Sequence, residues 1–236
     1  MYNMKRPTLL RLLVVALLCW TAAEVQAQWT VGLKGGITLT EPGRTNMGRV
    51  DETYSSMIGV EGGLRASYEF TDVLSLRMDL SYMQRTHYMK RNLNYLNNVF
   101  TIYTNSYLML PIMAECTLGE DQFQVHMYFG GYGGYWMRAH VEGVTYWMTD
   151  YHIYFEDFDE KREFNVEDQR WAIGLVGGIG VSFDFTEHMG VGLEALYYYD
   201  LSTYHKGYTQ LTDPRYLSTL SINLSLYYRF FKYEQP

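Results

Sequence analysis

Eight short segments in which apolar and polar residues alternate constrain the fold of this chain more than any other feature. They lie at about 29–39, 58–70, 74–82, 108–115, 124–135, 171–183, 191–197 and 220–230. Side chains along a strand point to opposite faces with a period of two, so each segment predicts a strand with one apolar face. Closed into a ring, such strands form a barrel with lipid outside and polar contents inside.

The first 27 residues are typical of a cleavable export signal. Lys5, Arg6 and Arg11 flank or enter the apolar run 9–18, and Ala27 ends a small-residue cleavage motif. We expect cleavage after Ala27, leaving a signal peptide (1–27) and one barrel domain (28–236). The alternative, an uncleaved membrane anchor, is disfavoured because the run is shorter than the ~20 residues of a spanning helix.

Charge and cysteine content exclude several classes of function. The formal charge is −7, and removal of three basic residues and one acid with the signal makes it −9. An acidic chain without a basic stripe argues against nucleic acid as a partner. After cleavage only Cys116 remains, so the chain has no intrachain disulfide and no cysteine metal site. We therefore predict no cofactor and no metal centre.

The connections alternate in length. Tight turns are expected at 71–72, 119–121 and 186–188, and long polar stretches at about 40–56, 84–99, 139–169 and 200–216. Short periplasmic turns and long extracellular loops are typical of bacterial outer-membrane barrels. The sequence therefore predicts an all-β fold, an eight-stranded antiparallel up-and-down transmembrane barrel in the bacterial outer membrane, with both termini periplasmic.

A soluble barrel also alternates, and two features argue against it. The polar face is largely Gly, Ser, Ala and Tyr, whereas a solvent-facing surface is densely charged. The apolar rows also end in aromatic residues, which suit the two membrane interfaces. These residues are Trp29, Tyr68, Phe70, Tyr82, Tyr135, Trp171, Phe183, Tyr197 and Phe230.

Four stretches carry a family resemblance: 107–114 (Tyr-Leu-Met-Leu-Pro-Ile-Met-Ala), 174–181, 193–197 and 228–230. Together they resemble the PorT-like outer-membrane barrels of Bacteroidetes, small porin-family barrels of the OmpA/OmpX size. The resemblance implies a non-enzymatic envelope protein. Met109 and Glu115 depart from the family pattern, which commonly has an acid and a base there, so a family ion pair is not inherited. Pro111 is expected to interrupt its strand locally.

Charged residues on the inward parity balance one another. In a barrel of about eight strands, side chains fill the interior, and buried charges need partners. We therefore expect a lumen ion-pair network and a plugged barrel; a gated polar pore or a proton path is the alternative. The network comprises Lys34, Glu61, Arg65, Arg77, Asp79, Glu115, Glu194 and Arg229.

Catalysis is not predicted. Some small barrels modify lipid A with Ser, His and a carboxylate, and this chain has His87, His152 and His205 in or beside its long loops. Asp150, Asp200 and Ser202 are near them in sequence. A triad is defined by geometry, however, and the chain contains no local motif of such enzymes.

The 139–169 stretch combines an acidic tip with an aromatic patch. Clustered carboxylates are ligands for Ca²⁺ or Mg²⁺, but the spacing of a calcium-binding loop is missing. A solvated acidic loop is therefore favoured. Its aromatic residues suit protein contact, and we expect the flanking strands to continue above the membrane as a ribbon. The candidate partner-binding residues are Tyr146, Trp147, Tyr151, Tyr154 and Phe155.

The function expected from these features is a scaffold that binds a partner, such as an envelope or secretion-machinery protein, through its loops. Outer-membrane lipid and lipopolysaccharide are further expected partners, with Arg85, His87, Lys90 and Arg91 of the second loop facing lipopolysaccharide phosphates. A narrow passive porin-like channel is the competing class, and a lipid A-modifying enzyme is the third.

Overall fold

A computed structural model describes residues 28–42, 52–91, 99–119, 122–149, 152–166, 168–202 and 217–230. These residues form nine strands, and every pair of neighbouring strands is antiparallel. The strands are β1 (Gln28–Pro42), β2 (Glu52–Glu69), β3 (Leu74–Arg91), β4 (Phe100–Leu118), β5 (Phe123–Thr149), β6 (His152–Arg162), β7 (Trp171–Asp184), β8 (Met189–Asp200) and β9 (Leu217–Arg229). The predicted signal peptide lies outside the described residues.

No helix among the described residues is long and apolar enough to cross a membrane.

Eight of the strands close into a ring. The order runs β4-β3-β2-β1-β9-β8-β7-β5, and pairing of β4 with β5 completes the circle. Strand β1 pairs with β9, so the first and last strands are neighbours. The predicted eight-stranded antiparallel barrel is confirmed, and β6 is a ninth strand that pairs with β5 only.

The long strand β5 belongs to both the barrel and a projecting hairpin. Its first part, 123–135, pairs with β7, and its last part, 139–149, pairs with β6. Most of the 139–169 stretch, expected as a loop, is therefore a β-hairpin, as the ribbon interpretation anticipated. Thr, Tyr, Trp and Val are frequent on its β5 arm, and such residues favour extended, half-buried strands.

The two faces of the ring differ as the alternation predicts. On β1 and β9, Leu33 and Leu224 are 61% and 63% exposed, whereas their neighbours Lys34 and Ser225 are 5% and 2% exposed. The outward apolar row of β9 ends at the aromatic pair Tyr228 and Phe230, whose ring centroids are 5.3 Å apart. Such a band, bordered by aromatic residues, is what a lipid-facing surface requires.

The two ends of the barrel are distinct. The tight connections that follow β2, β4 and β7 are at the same end of the barrel as Gln28 and Phe230, and we name this the short-turn end. The opposite end, from which the β5–β6 hairpin projects, is the long-loop end. Strands β2 to β5 extend further toward it than the alternating segments suggest, because their polar terminal residues continue the ladders.

Pro111 interrupts a ladder, as expected. The β3–β4 pairs run to Met78↔Ile112 and resume at Ser81↔Met109 in the same register, so the break is confined to Leu110 and Pro111. Proline has no N–H to donate, which explains a gap without a shift. The register shift in β4 occurs elsewhere, between Ser106 and Tyr107 in its pairing with β5.

Candidate functional site

Arg77 forms the centre of the barrel interior. Its Nε and Nη2 donate to the two carboxylate oxygens of Asp79, both at 2.8 Å. Its Nη1 and Nη2 also donate to Glu194 on β8, at 2.5 and 2.9 Å. Asp79 follows Arg77 by two residues on β3 and shares its inward face, whereas Glu194 reaches it from the opposite wall.

Lys34 extends this cluster toward β2. Its Nζ lies 2.7 Å from Glu61 Oε1 and 3.0 Å from Asp79 Oδ2. Glu61 also accepts hydrogen bonds from Ser221 and, at 3.3 Å, from Asn223 Nδ2. The cations and acids of the barrel centre therefore share partners, and no charge there depends on a single contact.

A second group lies closer to the short-turn end. Glu115 Oε1 is 3.0 Å from His126 Nδ1 and 3.6 Å from Arg65 Nη2. The Nε2 of His126 is 2.7 Å from Ser182 Oγ. This Ser182–His126–Glu115 chain has the connectivity of nucleophile, base and orienting acid, but Ser182 is buried and does not line the adjoining cavity. The chain therefore serves as a structural link between β4, β5 and β7.

Arg229, the eighth residue of the predicted network, lies at the short-turn end rather than in the barrel centre. Its Nη1 donates to Asp184 Oδ2 at 3.0 Å, and its Nε lies 3.7 Å from Glu69 Oε1. Asp184 also accepts a 2.6 Å hydrogen bond from Tyr227. The structure thus separates Arg229 from the central cluster and gives it partners that the sequence analysis did not name.

The sequence analysis misplaced Arg85 and Asp200. Arg85, expected in a basic loop, is fully buried, and its Nη1 donates to Asp200 Oδ1 and Oδ2 at 2.9 and 2.8 Å. Asp200, expected near a loop, also accepts a hydrogen bond from Tyr132. The signal was present in the sequence, because Arg85 continues the inward parity of Arg77 along β3.

The interior is less polar than expected toward the long-loop end. An apolar and aromatic cluster there is formed by inward residues of β3, β4, β5, β7 and β8, and Trp136 is 1% exposed. Tyr107 and Trp136 stack with centroids 6.0 Å apart. The cluster comprises Met83, Tyr107, Met109, Met113, Tyr128, Tyr132, Trp136, Ala139, Ala172, Val176, Leu196 and Tyr198. Met109 belongs to this cluster.

Ion pairs and aromatic side chains together occupy much of the barrel interior. Isolated buried charges are prohibitive, but these charges lie within ion-pair distance of opposite charges, which offsets part of their desolvation. The guanidinium groups also lie over rings, with Arg77 4.9 Å from the Tyr128 centroid and Arg85 5.0 Å from the Tyr107 centroid. We call the group Lys34, Glu61, Arg77, Asp79 and Glu194 the central plug.

Of the residues considered for catalysis, those that the structure describes do not come together. His87 is buried and stacks on Tyr103, with centroids 5.1 Å apart. His152 is exposed at the start of β6, and Ser202 Oγ accepts a 2.9 Å hydrogen bond from the Ile173 backbone. His205 and Asp150 lie outside the described residues.

The β5–β6 hairpin presents the aromatic residues that the sequence singled out. Trp147 and Tyr154 are cross-strand partners whose rings stack at 4.3 Å, and they are 48% and 44% exposed. Tyr146 pairs with the exposed Phe155, and Tyr151 lies outside the described residues. On the same hairpin, His140 Nε2 is 2.9 Å from Asp159 Oδ1, and Glu142 is nearby.

The sequence matches the family described as outer membrane protein beta-barrel domain over residues 11–230. The chain belongs to this family, and its place is accordingly the bacterial outer membrane. No curated protein sequence matches the chain.

Several solved outer-membrane protein structures are similar to this chain at low sequence identity. OprG from Pseudomonas aeruginosa is 13% identical, with 88% of this chain and 98% of that chain aligned and a TM-score of 0.49. The E. coli outer membrane protein W is 15% identical, with 88% and 100% aligned and a TM-score of 0.46. Ail of Yersinia pestis is 12% identical, with 86% and 99% aligned and a TM-score of 0.39. These similarities do not extend to function.

Proposed function

We propose that this chain is a non-enzymatic outer-membrane scaffold that binds a protein partner through its β5–β6 hairpin. One observation carries the proposal: among the described strands β6 pairs with β5 alone, and the hairpin exposes large aromatic side chains beyond the barrel ring. Exposed aromatic residues on a rigid ribbon are typical of binding surfaces. A hairpin that only connects two barrel strands does not require exposed aromatic side chains.

The free edge of β6 offers a second mode of contact. Within the described part of the chain, the edge of β6 that faces away from β5 has no partner strand. Its acidic residues, including Asp157 and Asp159, discourage pairing with arbitrary strands, as edge charges do. A partner with a basic strand or surface would match both the edge and its charge.

The plugged interior favours a scaffold over a passive channel. Arg77 connects β3 to β8 across the barrel, and Lys34 joins the same cluster from β1. A conducting path would require these charges to separate, and each buried charge would then lack its partner. The narrow channel remains the competing function, and conductance measurements distinguish the two.

Orientation and family follow from the same proposal. The long-loop end faces the cell exterior and both termini face the periplasm, in the usual arrangement of such barrels. The resemblance to PorT-like barrels of Bacteroidetes suggests an envelope or secretion-machinery protein as the partner. Outer-membrane lipid and lipopolysaccharide surround the barrel.

The proposal is tested by photo-crosslinking in cells. A crosslinker replaces Phe155 on the exposed hairpin, and a matched control carries it at Leu193, which is 52% exposed on the lipid-facing wall. We expect one discrete protein adduct from the hairpin position only, and its loss when Trp147→Ala and Tyr154→Ala are added. Thr145→Ala with Thr149→Ala, on the same strand, should leave the adduct unchanged.

Two results would overturn the proposal. Identical adducts from Phe155 and Leu193 would show that the hairpin has no partner of its own. Release or transfer of acyl chains by the purified barrel mixed with phospholipid and lipopolysaccharide would show that the protein is an enzyme.

A further inference from the structure

A polar cavity of about 350 Å³ occupies the short-turn half of the barrel. Gln28, Glu69, Asp72 and Arg229 are among the residues at its mouth. The mouth includes exposed turn residues, so the cavity opens to the aqueous side of the short-turn end. This volume is at the lower end of the range for small-molecule sites, about 300–1,000 Å³.

The cavity is closed at its inner end. Arg65 and Glu115 line its deepest part, and the next inward residues along their walls belong to the central plug or pack against it. Arg77 and Asp79, for example, follow the cavity residue Ser75 on β3. The space is therefore a pocket with one entrance and does not continue through the membrane.

Two charged side chains at the inner end are incompletely paired. The Nε of Arg65 and Oε2 of Glu115 are both buried and have no hydrogen-bond partner among the described residues. The two residues are 7% and 3% exposed. Arg65 contacts Glu115 only through Nη2 and Oε1, at 3.6 Å, which is too long for a hydrogen bond. Buried polar atoms without partners are costly and indicate a missing ligand or solvent.

The other contacts of these residues hold them in place. Arg65 Nη1 donates to Ser225 Oγ at 3.3 Å, and the guanidinium carbon lies 5.3 Å from the Tyr227 ring centroid. Glu115 Oε1 is held by His126 at 3.0 Å. The free atoms are therefore presented by side chains whose other ends are already fixed, which is the arrangement of a pre-formed site.

We propose that this cavity binds a small zwitterion of the α-amino acid type. The Arg65 guanidinium, through its Nε–Nη2 edge, receives the carboxylate, because that edge forms two parallel hydrogen bonds to a planar anion. Glu115 Oε2 receives the ammonium group. Since the two side chains approach to 3.6 Å, the ligand's opposite charges must be close together, as they are on one α-carbon.

Isothermal titration calorimetry of the purified protein in detergent micelles tests the proposal. The standard L-amino acids are titrated singly, and the tightest binder is compared with its analogue lacking the ammonium group and its analogue lacking the carboxylate. For L-alanine these analogues are propionate and ethylamine. We expect saturable binding of the zwitterion and at least tenfold weaker binding of both analogues.

Variants assign the binding to this cavity. Arg65→Gln and Glu115→Gln should each weaken the zwitterion at least tenfold, and Glu115→Gln should leave the affinity for propionate unchanged or higher. Either of these variants also removes a buried charge, so a third variant is needed that keeps both charged residues. Ser67→Leu fills the cavity without changing the pair and should also abolish binding. Thr40→Val, beside Thr219 toward the other end of the barrel, is the matched control and should bind normally.

Three outcomes would overturn the proposal. Absence of saturable binding for every amino acid would mean that water satisfies the free atoms. Equal affinity for the zwitterion and its carboxylate-only analogue would show that Glu115 does not bind the ammonium group. Undiminished binding to the folded Ser67→Leu variant would place the ligand elsewhere on the protein.

Discussion

Arg77 on β3 and Glu194 on β8 meet across the full width of the barrel, with Nη1–Oε2 and Nη2–Oε1 distances of 2.5 and 2.9 Å. The two strands are four positions apart in either direction around the eight-stranded ring, so they lie on opposite walls. Backbone ladders join only adjacent strands. This side-chain pair therefore links parts of the wall that no ladder connects, and it closes the lumen at the same point.

Loss of Arg77 should destabilise the barrel strongly. Arg77→Met leaves Asp79 and Glu194 buried without their main partner, and removal of one member of a buried pair costs about 3–5 kcal/mol. Urea unfolding from phospholipid vesicles measures the change. Arg138→Met, at an exposed position, is the control and should stay within about 0.5 kcal/mol of the parent. If Glu194→Gln added to Arg77→Met restores no stability, the two residues are not coupled.

The barrel should conduct poorly. Because the central plug fills the lumen, the unmodified protein in planar bilayers should show no steady single-channel current. Arg65→Ala with Arg77→Ala removes two large side chains from successive layers and should introduce measurable openings. The pair Thr40→Ala and Thr219→Ala, away from the plug, should remain silent. Large, stable currents from the unmodified protein would favour the channel function instead.

The free-energy cost of placing a charged residue on the outward face of β9 should depend on the depth of that residue in the membrane. Leu224 lies in the middle of this lipid-facing row, so Leu224→Arg should cost ~2–4 kcal/mol of unfolding free energy in phospholipid vesicles. Phe230→Arg, at the aromatic border of the same row, should cost only about 0–1 kcal/mol more than Phe230→Ala. Equal costs at the two depths would contradict the assignment of the membrane-facing band.

Two adjacent glycines should respond differently to alanine. A methyl group at Gly36 would overlap the Ile222 backbone oxygen and Asn223, so Gly36→Ala should cost about 1–3 kcal/mol, the usual range for overpacking. At Gly35 the nearest atom to such a methyl group is 3.9 Å away, and Gly35→Ala is the control. Heat-induced unfolding followed by gel mobility compares the two. A larger loss of stability for Gly35→Ala would contradict the close approach of β9 to Gly36.

The hairpin should be dispensable for barrel stability. Replacing residues 145–156 with an Asn-Gly turn keeps every β4–β5 pair, since those pairs end at Phe100↔Val144. The shortened protein should therefore retain its heat-resistant gel mobility and its unfolding midpoint in urea. The cut extended to 139–162 also removes the β4 contacts and should lower the midpoint. A barrel that fails to form after the shorter cut would show that the hairpin supports folding.

The alternation of apolar and polar residues was sufficient to predict a closed antiparallel barrel, because a period of two assigns every side chain to one face. It also predicted which charges are inward, including Lys34, Glu61 and Arg77. It did not reveal that Arg85 pairs with Asp200, although both continue the parity of their strands, because the two residues are 115 positions apart and local periodicity carries no information on such a pairing. The continuation of β5 into a hairpin was visible only as an enrichment in Tyr, Trp and Thr.

The sequence by itself determined the eight barrel strands and their two faces, since these depend on local periodicity alone. Only the tertiary structure decided which charges meet. Arg77 and Glu194 are 117 residues apart and come together because ring closure and register bring β3 and β8 to the same depth. The same register leaves Arg229 at the short-turn end and a cavity between it and the plug. Pairing across a lumen depends on the curvature and closure of the whole sheet, and no local pattern records either.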